Sequence, residues 1–148
     1  DDVQEEPNVW EYTSALIEQA ETLDASILAW MIGERVRKEV LFITDAEKGT
    51  EILQAFGQRL QDQFNQPYSY DYLLDCITLA EAYPDMLHFN DLSEDLTYDQ
   101  LLMIAKLHDD LARTYYSELA RFEKWDEQTL RRKIGQKTFE NEFKKEND

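Results

Sequence analysis

Lysine and arginine are missing between Leu60 and Ala105, while that stretch holds nine carboxylates: Asp62, Asp71, Asp75, Glu81, Asp85, Asp91, Glu94, Asp95 and Asp99. Such a segment repels phosphates and attracts cationic partners. Cysteine is nearly as scarce. Cys76 stands alone, which excludes an intrachain disulfide and a multi-cysteine zinc site. Four glycines and three prolines argue against a turn-rich β-sandwich or a glycine-rich phosphate loop. Long apolar runs are absent too: Ile27 to Ile32 is cut by Gly33-Glu34-Arg35, far short of the roughly 20 residues that a membrane span needs. No basic start leads into an apolar stretch, so no secretory leader is read, and the opening on Asp1 instead of Met points to a trimmed start. A cytoplasmic protein is expected.

Of the 148 residues, 43% are apolar, enough to bury the core of one ordinary domain. The net charge is −17 and it is localised. Residues 1–100 hold 22 acids and 5 bases, whereas residues 101–148 hold ten of each.

Helical periodicity runs through most of the chain. Trp10, Leu16, Ala20, Leu23, Ile27, Trp30 and Met31 recur at spacings of three and four and continue through Val36 and Val40, predicting one long first helix. Ile52, Leu53, Phe56, Leu60 and Phe64 mark a second, ended by Asn65-Gln66-Pro67. Ser69 is placed to cap a third, with Leu73, Cys76, Ile77 and Ala80 inward and Pro84 stopping it. Residues 85–96 read as a loop with one short turn. Thr97 and Gln100 form a capping box for a helix with Leu101, Leu102, Ile104 and Ala105. Asp109 can cap a helix that carries Leu111, Tyr115, Leu119 and Phe122 inward, and Asp126 a last one with Leu130, Ile134 and Phe139. The expected fold is all-α, about six helices, with residues 1–8 a loose acidic tail, 9–143 a single helical domain and 144–148 a frayed end.

The second and third helices have the proportions of a helix-turn-helix. Residues 69–83 would then be the recognition helix, showing Tyr70, Asp71, Leu74, Asp75, Thr78 and Glu81 outward. A DNA reader needs Arg, Lys, Asn or Gln there. Three carboxylates and no cation oppose phosphate contact, and at a Debye length of about 8 Å salt does not hide charges in direct apposition. Two neighbouring amphipathic helices of no special function would look the same.

Catalytic chemistry finds little footing. Pro84-Asp85 and Glu142-Phe143-Lys144 spell a PD…ExK pattern, but that chemistry needs a small sheet around a divalent metal, and no strand is read nearby. His88 and His108 lack a ligand set; a metal site from His88 and Asp91 is outweighed by a plain surface histidine. Asp109-Asp110 reads as a cap with a first-turn acid, and Cys76 as a buried small hydrophobe. Ser14, Ser26, Ser69, Ser93 and Ser117 sit in no nucleophile-elbow context. The tyrosines in and beside the acidic stretch, Tyr68, Tyr70, Tyr72, Tyr83 and Tyr98, serve either a core or an interface with an Arg-rich partner.

Four segments in order resemble a known family. Ser69 to Asp85 (SYDYLLDCITLAEAYPD) is similar to the helix running into an "F-x-E-x-[YF]-P-D" end in the N-terminal helical domain of YhcG-like nucleases. Tyr115 to Thr138 (YYSELARFEKWDEQTLRRKIGQKT) resembles its "EFY…E…ERWSVRTLRKKI" segment. Ala29 to Val36 is similar to its "YWEIGRRI" run, and Lys48-Gly49 with Ile52, Leu53 and Leu60 to its "YGKEI…LS..L" helix. The resemblance spans roughly residues 12 to 140. It implies a winged-helix or helix-turn-helix module set before a PDDEXK nuclease domain, hence a recognition module and not the catalytic half. The chain departs from the pattern at Asp71 and Asp75, where the family carries basic or neutral residues, and at Leu96 to Gln100, where it carries "LSWSH".

The leading expectation is a non-enzymatic, acidic protein-binding module, in its extreme form a DNA mimic that occupies the basic surface of a nuclease or DNA-binding protein. Its contact residues would be Asp62, Tyr70, Asp71, Asp75, Glu81, Asp91, Glu94, Asp95 and Asp99, with no metal and no cofactor. The alternative is a DNA-recognition or regulatory module of a YhcG-like nuclease, using Arg131, Arg132, Lys133 and Lys137 on phosphates. A homodimer along the first helix is a third reading.

Overall fold

The computed structural model describes residues 8–41, 45–65 and 67–146, with side chains as far as Phe143. The described residues are helical, with turns between and no strand. Helices α1 (Val9–Glu18), α2 (Ala25–Val36), α3 (Ala46–Phe64) and α4 (Tyr70–Ala82) are followed by α5 (Met86–Asp95), α6 (Tyr98–Ala105), α7 (Asp110–Phe122), α8 (Glu127–Gly135) and α9 (Thr138–Glu146). Nine helices among the described residues replace the six expected. The chain forms two compact units, one ending at Glu81 and the other starting at Ala82. The expected tail at residues 1–8 lies outside the described residues except for Asn8, whose Oδ1 accepts the Glu11 amide and starts α1. The expected frayed end is helical in backbone to Glu146, and residues 147 and 148 lie outside the description.

In the first unit the long helix does not form. The chain turns after Glu18, and the Asp24 carboxylate restarts it by accepting the Ser26 and Ile27 amides at 2.8 and 3.3 Å. A carboxylate that takes up free N–H groups at a new helix start outweighs an uninterrupted apolar periodicity. The premise for a dimer along one thirty-residue helix is therefore not met. After Val36 the backbone widens into a π-helical turn, Arg37–Leu41. Arg37 and Lys38 pair with Glu34 at 3.0 and 3.3 Å, Arg35 with Glu39 at 2.7 Å, and Arg37 lies 3.9 Å from Glu81.

Two glycines set how closely these helices meet. A Cβ on Gly33 of α2 would come within 3.0 Å of the Cys76 carbonyl of α4, and one on Gly57 of α3 within 3.0 Å of the Tyr70 backbone. Around these crossings Leu28, Ile32, Val36, Leu53, Phe56, Leu60, Leu73 and Leu79 are buried. Trp10 of α1 packs edge-on against Phe56 at 5.7 Å and under the Arg59 guanidinium at 3.7 Å. Cys76 is buried as expected, and burial pushes its thiol well above the ordinary range.

In the second unit, the stretch expected as a loop, residues 85–96, holds helix α5 over Met86–Asp95. Asp85 caps α5 by accepting the Leu87 and His88 amides, and Phe89, Leu92 and Leu96 are buried. The Tyr83 hydroxyl donates to the Leu101 carbonyl at 3.0 Å, and desolvation pushes its pKa above the ordinary tyrosine value. The capping box at Thr97 and Gln100 forms as expected. The inward face of α7 differs from expectation: Ala112, Tyr116, Ser117 and Ala120 are buried, while Leu111 is 63% and Phe122 84% exposed. The Tyr116 hydroxyl accepts the Phe139 amide at 3.0 Å and reaches Glu140 at 3.3 Å, tying the start of α9 to α7.

Candidate functional site

Of the nine carboxylate-face residues expected to bind a partner, five fall in the first unit and four in the second. On α4, Asp71 and Glu81 are exposed with Leu74 between them, while Tyr70 and Asp75 are half-buried. Asp71 sits in the first turn, where the helix dipole favours an acid. The Ser69 hydroxyl accepts the Tyr72 amide at 3.4 Å, as a cap should. Asp62 on α3 accepts from Gln58 at 3.0 Å. Phe64, Tyr68 and Tyr72 make successive edge-on contacts at 6.4 and 5.2 Å where α3 turns into α4.

In the second unit the acids are partly spent on the fold. Arg121 of α7 lies 3.0 Å from Asp91 and 3.0 Å from Asp95, both on α5, and 3.7 Å from Glu118. The hydrogen bond to Asp95, with the Asp91 carboxylate beside it, raises the Arg121 guanidinium further. Asp91 and Asp95 thus tie α5 to α7, a pairing that no local pattern in the sequence reveals. Glu94 and Asp99 are exposed, Asp99 in the first turn of α6.

The basic residues cluster around α8. Residues 123–126 form a four-residue turn between α7 and α8, with Lys124 in left-handed backbone at φ 56°. The turn is tied to α6, because Gln100, itself buried, donates from Nε2 to the Trp125 carbonyl at 2.7 Å. Asp126 caps α8 by accepting the Thr129 amide at 2.7 Å, and that bond holds its carboxyl below the usual range. Leu130 is the buried anchor of α8. Gln128, Arg131 and Arg132 are exposed; Arg131 pairs with Glu127 at 2.9 Å. Lys133 is half-buried over the Trp125 ring at 5.5 Å, so it stands apart from Arg131 and Arg132. Lys137 is exposed and left-handed at φ 57°, and it breaks the helix that the sequence runs from Asp126 to Phe139. The side chains of Lys144 and Lys145 lie outside the description.

A cleft of about 330 Å³ in the second unit is lined by Tyr83, Asp85, His88, Asp110, Arg113 and Ser117, among others. Three of its charged groups are engaged within the protein. Asp110 pairs with Arg113, Arg113 also donates to the Leu107 carbonyl, and Asp85 is spent on its cap. Asp85 at a helix start and the exposed Glu142 of α9 make no sheet-borne PD…ExK centre. Among the described residues, no three His, Cys, Asp or Glu side chains are grouped to hold a metal ion. No helix among them is long and apolar enough to cross a membrane.

A sequence profile described as the DUF1016 N-terminal domain matches residues 13–141. No curated protein and no solved structure matches the chain.

Proposed function

The chain belongs to the DUF1016 N-terminal domain family, the YhcG-like family, and we propose that it acts as the recognition or regulatory module of a nuclease-type protein, meeting nucleic acid through α8. The observation that carries this reading is the display of Gln128, Arg131, Arg132 and Lys137 on and just after a helix that follows a four-residue turn. That frame, α7–turn–α8, is a better helix-turn-helix than α3–α4, because its second helix is cationic and anchored by Leu130. The rest of the chain opposes the contact: at −17 overall, long-range repulsion keeps affinity for random duplex low. Binding is therefore expected at low salt and to fall steeply as salt rises. Fluorescence anisotropy with a short duplex tests it. Replacing Arg131, Arg132 and Lys137 by Gln should weaken binding and flatten the slope of log K against log salt by roughly 2–3 units. No binding by the parent chain, or an unchanged slope in the variant, refutes the reading.

A second reading keeps α4 as a contact for a cationic protein, the mimic arrangement. It is supported by Asp71, Leu74 and Glu81 standing exposed on α4, at whose start Phe64, Tyr68 and Tyr72 make their edge-on contacts. Asp71→Asn with Leu74→Ala should release a basic partner that the parent retains. Equal retention removes the reading, and duplex binding that survives these changes assigns the nucleic-acid contact elsewhere.

A further inference from the structure

Around α8 lysine and glycine do not stand where local backbone preference would put them. Glycine takes left-handed backbone at the least cost, yet both left-handed positions beside α8 are lysines, Lys124 before it and Lys137 after it. The glycine stands instead at Gly135, the last residue of α8, without a positive φ. There it gives the helix less than alanine would. Gly33 and Gly57 have internal reasons, since a Cβ on either would strike a neighbouring backbone. Gly135 has none: a Cβ there would meet nothing within 4 Å. Neither close helix packing nor a left-handed cap accounts for it.

Its position on the helix supplies a reason. Gln128, Arg131, Arg132 and Gly135 follow at i, i+3, i+4 and i+7, so they share one face, and all four are exposed. Lys124 and Lys137 are exposed at the two ends of the same helix. We infer that this face is a close-approach surface for a sugar–phosphate backbone, with Gly135 as the point where the nucleic acid comes against the helix main chain. Arg131, Arg132, Lys124 and Lys137 neutralise the phosphates on either side. Lys124 and Lys137 each follow the C-cap of a helix, α7 and α8, where left-handed backbone is a common way for a helix to end, and what they bring to this face is charge. The N-terminus of α8 is not the phosphate site, because the Asp126 carboxylate already occupies it. The strand therefore lies along the side and the C-terminal half of the helix. This inference rests on the nucleic-acid reading of α8 and adds Lys124 and Gly135 to it.

The test measures duplex binding at low salt and thermal stability on the same variants of the full chain. Gly135→Ala should melt at or above the parent temperature yet bind at least about fivefold more weakly, with the salt slope unchanged because no charge is lost. Lys124→Gly and Lys137→Gly should each raise the melting temperature and cut the salt slope by about one. If Gly135→Ala binds as tightly as the parent while Arg131→Gln with Arg132→Gln loses affinity, the close approach is wrong and the nucleic-acid reading stands. A lower melting temperature for Gly135→Ala would expose an internal reason for the glycine and overturn the inference as well. If the parent binds no duplex, both fall together.

Discussion

Replacing Gly33 by Ala should be among the most damaging single-methyl changes in the chain. The added Cβ would fall within 3.0 Å of both the carbonyl oxygen and the carbonyl carbon of Cys76. Those are main-chain atoms of α4, which cannot swing aside as a side-chain tip can. To restore ordinary contact at 3.4 Å the two helices must separate by roughly 1 Å or more. That loosens the buried side chains around the crossing, Ile32 and Val36 on α2 and Leu73 and Leu79 on α4. Overpacking of this kind costs about 1–3 kcal/mol, occasionally more, and lost dispersion adds to it. Against this, alanine returns about 1 kcal/mol of helix propensity. A clash with main chain lies at the upper end of that range, so the net loss is about 2 kcal/mol, a fall of about 4–8 °C in Tm for a chain of this length. Urea and thermal unfolding followed by the fluorescence of the buried Trp30 on the same helix would measure it. Gly135→Ala, in open space, is the counterpart of opposite sign. A Gly33→Ala chain as stable as the parent would refute the contact between α2 and α4.

Other expectations follow from single residues. Thr13 is fully buried and its Oγ1 finds no hydrogen-bond partner, so Thr13→Val should raise stability by about 1 kcal/mol in urea unfolding. Burial raises the Cys76 thiol, so its contribution to stability is whole below the ordinary thiol range near pH 8.5 and is lost as pH rises beyond it. Cys76→Ala should flatten that alkaline decline, and a thiol reagent should label Cys76 no faster than the chain unfolds. Phe122→Ser should change stability by less than about 0.5 kcal/mol, whereas Tyr116→Ala should cost about 3 kcal/mol or more. Equal losses at the two positions would mean that α7 is turned the other way.

What the sequence made legible was local: caps and stops. Ser69, Thr97, Asp109 and Asp126 start helices where their side chains can accept backbone amides, and α4 ends just short of Pro84. The all-helical class followed from periodicity, and the family from four ordered segments. The phase of α7 is not legible in the sequence, because bulk does not decide burial there. Ala112, Ser117 and Ala120 let neighbouring helices approach closely, and the bulky Leu111 and Phe122 stay outside. Helix α5 hid behind its polarity, although Asp85 followed by Phe89, Leu92 and Leu96 carried a cap and a buried face. The break at Asp24 was masked by apolar residues on both sides that kept the spacing. At the candidate surfaces the charges were visible, but not their pairing: nothing in the order of residues says that Arg121 answers Asp91 and Asp95 across thirty positions.

Five of the 32 acidic residues, Asp24, Asp45, Asp85, Asp109 and Asp126, begin helices. Their job there is that of an oxygen acceptor, which serine or asparagine does about as well. Acidity and architecture can therefore be uncoupled. Exchanging these five would lift the net charge from −17 by five while every helix keeps its first turn. At −12, such a chain asks how far its biology depends on the strength of the negative field and how far on the scaffold that the aspartates punctuate.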